Sequence, residues 1–190
     1  MKLERNVTPR RNRMEVLCGA QPGQAGGAGA AMLEDKELAD LVLESVRLVD
    51  EGELNPPAGA AASPAFQPRG MLALLTYCYA IGVYGSQDVE LMMREDASLR
   101  ALCGWDIPDW RQLKRFRRHN RAMLQRALEE TFRGAWSLSC RARGAARAPH
   151  GGRPIEAGNG LPDPAMADWI SAEAAACIER AMFIDLMATD

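Results

Sequence analysis

Apolar residues recur at helical spacing in six stretches of the chain, and none shows the alternation of a half-buried strand. Over "EDKELADLVLESVRLVDEGE", Leu38, Leu41, Val42, Ser45, Leu48 and Val49 share one side of a helix, and Glu34, Asp35 and Glu37 sit at its electropositive start. "MLALLTYCYAIGV", Met71 to Val83, is apolar nearly all round, which predicts a helix buried on every side. Ser86 is placed to cap "QDVELMMRE", with Asp88 and Glu90 in the first turn. "DASLRALCG" predicts a short helix beginning near Asp96 and stopped by Gly104. Asp109 with Gln112 three residues later is a capping-box pattern, and the long helix it opens is expected to run to Phe132 or a little beyond. Asp163 followed by Pro164 opens the last helix, whose apolar stripe is Met166, Ile170, Ala174, Cys177, Ala181 and Ile184.

Between these stretches the composition changes. "GAQPGQAGGAGA" has almost nothing to bury, so residues 1–31 are expected to be disordered. "NPPAGAAASPAFQPRG" carries too much proline for a regular element, and "RARGAARAPHGGRPIEAGNG" reads as a flexible linker. The expectation is an all-α chain: a disordered basic and Gly/Ala-rich tail (1–31), a helical domain (32–139), a linker (140–162) and a C-terminal amphipathic helix (163–190). The order of short helix, turn and basic helix within the domain is that of a helix-turn-helix core in a small helical bundle.

Length and charge narrow the class. A chain of 190 residues supports one domain with a real core. The net charge of −2 conceals segregation: acids collect at Glu34–Glu53 and Asp163–Asp190, while Arg111 to Arg126 has only cations. Five widely spaced cysteines without a C-x-x-C pair predict neither a disulfide framework nor a zinc site, which points to a reducing cytoplasm. No apolar run follows the basic N-terminus as in a secretory signal, and Met71 to Val83 falls short of the roughly 20 residues a membrane span needs.

The cationic stretch "PDWRQLKRFRRHNRAML" carries the functional expectation. At about 100° per residue, Leu113, Phe116, Asn120, Leu124 and Ala127 form an apolar stripe, and Arg111, Lys114, Arg115 and Arg118 a ridge on the opposite face. Arg121 and Arg126 flank the ridge, Arg117 lies at the edge of the stripe, and Asn120 within the stripe is expected to make a structural hydrogen bond. Like charges at i,i+4 cost a few tenths of a kcal/mol each, roughly, a loss an anionic partner would reverse. Duplex DNA fits this description, since a helix enters its major groove and neutralised phosphates release counterions. A merely solvated face, or a calmodulin-like or membrane-surface helix, is the alternative.

The blocks "YCYAIGVYGSQDVE", "REDASLRALCG" and "PDWRQLKRFRRHN", taken in order, resemble the N-terminal helical domain of insertion-sequence DDE transposases, the InsH-type transposase N-terminal domain. The resemblance covers Pro68 to Leu128. It implies a DNA-associated helical domain that precedes, in the family, an RNase H-like domain with a metal-binding carboxylate triad. After Arg133 the family would continue into a strand bearing the first catalytic aspartate; this chain gives "GAWSLSCRARGAARAPHGG" instead. The acids Asp163, Asp168, Glu173, Glu179 and Asp185 fall along one helix and read as its solvent face, whereas two-metal chemistry needs carboxylates gathered around shared ions.

His119 and His150 are the only histidines, Cys103 has no base placed beside it, and Gly26, Gly27 and Gly29 follow no strand. Trp105, Trp110, Met92 and Met93 read as packing. The expectation is a non-catalytic domain without metal or cofactor, truncated or repurposed from a transposase. It would bind the phosphate backbone of double-stranded DNA through Arg111, Lys114, Arg115, Arg117, Arg118 and Arg121, with readout, if any, from Arg117 or Asn120. The alternative is an interaction module that forms a homodimer or docks on a full-length transposase through its acidic helices and the Met166–Ile184 stripe.

Overall fold

Helices account for the regular structure: a computed structural model of the chain describes residues 35–55, 67–103, 107–147 and 162–188, with seven α-helices, one 3-10 turn and no strand among them. The helices are α1 (Asp35–Arg47), α2 (Pro68–Ala80), α3 (Ser86–Glu95), α4 (Ala97–Cys103), α5 (Trp110–His119), α6 (Arg121–Arg147) and α7 (Pro164–Met187), and the 3-10 turn is Glu51–Glu53. The all-α expectation holds. Residues 1–31 and 148–161, expected to be tail and linker, lie outside the described residues.

α2 is the buried helix its sequence predicts. Leu72, Leu74 and Leu75 are fully enclosed, each stabilising the fold by about 1.5–3 kcal/mol relative to exposure. Gly70 in its first turn lies so close to the end of α4 that a Cβ there would stand 2.7 Å from the Cys103 carbonyl oxygen. The helix closes in a Schellman motif: Val83 N–H donates to the Cys78 carbonyl (2.8 Å), Gly82 N–H to that of Tyr79 (3.1 Å), and Gly82 takes φ +88°. α6 is the organising element, packing against α1, α2 and α7. Its buried face is Leu124, Ala127, Leu128, Phe132 and Ala135.

Four expectations change. The long helix from Asp109 is two helices. Asn120 leaves helical geometry (φ −117°, ψ 29°) because its side chain is held from outside: Nδ2 donates to the Asn55 and Phe116 carbonyls (2.8 and 3.0 Å), and Oδ1 accepts from Asn55 N–H (2.7 Å). The expected structural role of Asn120 is thus observed. α6 then runs to Arg147, taking up the first residues of the expected 140–162 linker, since the alanines and arginines there favour helix. Leu48 is 64% exposed, because α1 ends at Arg47, and Val46 fills the core in its stead. Ser86 opens α3 and Gly85 is the N-cap residue, so the cap on Ser86 N–H comes from elsewhere in the chain.

Candidate nucleic-acid interface

α5 is fixed at both ends and along one side. The capping box forms as its sequence predicts: Asp109 Oδ1 accepts from Gln112 N–H (2.8 Å) and Gln112 Oε1 from Asp109 N–H (3.1 Å). Glu90 Oε2 on α3 accepts from Trp110 N–H (3.0 Å), Leu113 and Phe116 are buried, and Asn120 ends the helix. α5 packs chiefly on α3. Six residues of sequence separate Cys103, the end of α4, from Trp110, the start of α5, against the roughly three- to four-residue turn of a helix-turn-helix.

The cations named from the sequence meet different fates. Arg111, Arg115 and Arg118 are exposed on one face of α5, with no carboxylate partner among the described residues. Arg111 is stacked on Trp110, its guanidinium carbon 4.5 Å from the ring centroid. Lys114 is half-buried; its ammonium donates to the Asp185 carbonyl (3.1 Å) in the last turn of α7, where a cation suits the helix dipole. Arg121, at the start of α6, is exposed and pairs with Glu179 of α7 at 3.3 Å, and Arg126 pairs with Glu53 at 3.1 Å.

Arg117 corrects the expectation. It is 1% exposed, ion-paired with Asp185 of α7, and takes no part in the exposed face. Its guanidinium also donates to Tyr79 Oη (2.5 Å), Ser86 Oγ (3.1 Å) and the Tyr84 carbonyl (3.4 Å). Asp185 accepts from Ser86 N–H (2.9 Å) and Ser86 Oγ (2.6 Å), so its carboxylate caps α3 from almost a hundred residues away, at the positive end of that helix. Two charges removed from water are tolerable here because nearly every donor is matched. Asp185 therefore leaves the solvent face assigned to the late acids. A sequence signal existed: Asp185 follows Ile170, Ala174, Cys177, Ile178 and Ala181 at positions where only apolar residues otherwise fall, and Arg117 stands four residues after Leu113 on the buried side of α5.

The same neighbourhood holds the perturbed groups. Burial pushes the Tyr79 hydroxyl up from 10.0 to about 12, against the lowering effect of the Arg117 charge beside it. Burial likewise pushes the Cys78 thiol far above its ordinary range, which makes it an inert core group. Cys103, Met93 and the Trp136 ring are also buried. Among the described residues no three His, Cys, Asp or Glu side chains are grouped to hold a metal ion, and no helix is long and apolar enough to cross a membrane.

No curated protein and no solved structure matches the chain. Residues 33–119, which contain α1 to α5 and stop one residue short of the break at Asn120, match the family model described as Transposase domain (DUF772), and this part of the molecule is similar to a transposase-family domain.

Proposed function

We propose that this chain is a DNA-binding helical module in which α5 lies along duplex DNA, with Arg111, Arg115 and Arg118 on phosphates and Lys114 and Arg121 at the margins. The observation that carries the reading is the exposure of those three arginines on one helix face without an acidic partner among the described residues, while Arg117, Arg121 and Arg126 each have one. The protein thus keeps part of its positive charge uncompensated at one place, which is what a polyanion requires. The likeness of residues 33–119 to a transposase domain points the same way.

The role is one of binding, with sequence readout minor: Arg117 is withdrawn into the core and Asn120 is engaged with Asn55. Four of the five late acids already have structural work. Asp163 caps the helix on Met166 N–H, Glu173 pairs with Arg180, Glu179 with Arg121 and Asp185 with Arg117. A salt titration tests the reading: with about four phosphates neutralised, log K falls against log salt with a slope of about −3.6. A flat response, or no duplex binding at low salt, removes it.

A further inference from the structure

The end of α7 exposes an apolar strip with no partner among the described residues. Phe183, Leu186 and Met187 are 63, 74 and 65% exposed, and Met182 and Ile184 lie at the margins. Asp185 points the opposite way, into the ion pair with Arg117, so the helix is fixed with this strip outward. Other large exposed apolar side chains, Leu43, Leu48, Leu91 and Ile107, belong to other segments of the chain. A contiguous patch of this kind marks an interaction surface.

Its two flanks differ in charge. On one side a shallow cavity of about 200 Å³ separates Met182, Phe183 and Leu186 from Lys114 and Arg118 of α5. On the other, a cavity of about 310 Å³ separates Ile184 and Met187 from Gln87 and Asp88 at the start of α3. Both Arg118 and Asp88 are exposed.

We propose that this strip is the contact surface for a second copy of the chain, related by a twofold axis running along the strip, with Arg118 of each copy facing Asp88 of the other. A twofold rotation about the length of the strip exchanges the two flanks, so a strip with a cation on one side and an anion on the other is complementary to a second copy lying parallel to it. DNA or an anionic membrane would meet Asp88 as well as Arg118, and neither satisfies both flanks. The apolar strip supplies the desolvated centre and the two ion pairs the rim and register. Arg111 and Arg115 lie further round α5 from α7 than Arg118 and stay outside the contact, so the dimer and DNA compete for Arg118 alone.

The test needs no DNA, so its outcome is independent of the nucleic-acid reading. Molar mass of the full chain, measured by light scattering and sedimentation over a wide concentration range, rises from monomer to dimer. Phe183→Glu with Leu186→Glu holds the chain at monomer mass, with helical circular dichroism and Tm retained because both side chains are exposed. Asp88→Arg alone and Arg118→Asp alone each place like charges opposite one another and raise the dimer dissociation constant by about tenfold or more. Mixing these two variants restores association as a one-to-one heterodimer, since both ion pairs then match. A wild-type chain that stays monomeric throughout, a dimer untouched by the Phe183/Leu186 pair, or a mixture that gives no heterodimer overturns the proposal.

Discussion

Arg117 of α5 and Asp185 of α7 form a buried ion pair that ties the last helix to the helix bearing the exposed arginines. The pair also collects Tyr79 of α2 and Ser86 of α3, so four helices meet at one guanidinium and one carboxylate. Because Lys114 and Arg121 are likewise tied to α7, that helix sets which cations of the basic stretch remain available.

Removing one partner leaves the other charged and dry. Arg117→Met or Asp185→Leu alone should lower unfolding free energy by about 3–5 kcal/mol, whereas the double variant should recover much of it. Urea denaturation of the four proteins measures the cycle; additive losses would mean the pair is not coupled.

Replacing Arg115 and Arg118 with Ala should leave Tm within a few degrees of wild type, since both are exposed. Duplex binding should weaken alike for all sequences, and the salt slope should become shallower by about 2. Fluorescence anisotropy against several duplexes at a series of salt concentrations checks both; a loss confined to one sequence would indicate base readout instead.

Asn120→Ala should cost about 1–3 kcal/mol, because the Asn55 amide loses its acceptor in a half-buried position. Duplex affinity per folded molecule should not change. A variant of undiminished stability that fails to bind DNA would assign Asn120 to recognition.

The Tyr79 hydroxyl gives stability a defined alkaline limb. Its folded value of about 12 lies above the ordinary 10.0, so above pH 10 the unfolded chain releases a proton that the folded one keeps. Unfolding free energy is unaffected by this group below pH 10 and falls from there towards pH 12. Tyr79→Phe should flatten that limb, read by denaturant titrations at stepped pH.

Gly70→Ala should destabilise by about 1–3 kcal/mol, since the new methyl would meet the Cys103 backbone rather than a side chain able to swing away. Thermal unfolding measures it; an unchanged Tm would mean that α2 and α4 separate at little cost.

Local chemistry made much of this molecule readable from its residues. The caps at Asp109 with Gln112 and at Asp163 with Pro164 act within a turn of themselves, and the apolar stripe through Leu113, Phe116, Asn120, Leu124 and Ala127 follows from helical period alone; each is found where the pattern puts it. Period put Arg117 at the edge of the apolar stripe and Arg118 on the opposite ridge, but it could not decide whether that edge would be sealed. The two are neighbours of identical chemistry, yet one is sealed in the core and the other faces solvent. The difference rests on a carboxylate 68 residues away, delivered by a helix whose docking no local pattern announces. The kink at Asn120 has the same origin, since the Asn55 backbone that holds it belongs to a segment 65 residues earlier. Burial of a charge or an amide is decided by whether a distant partner arrives to replace water, and only the packed chain supplies that partner.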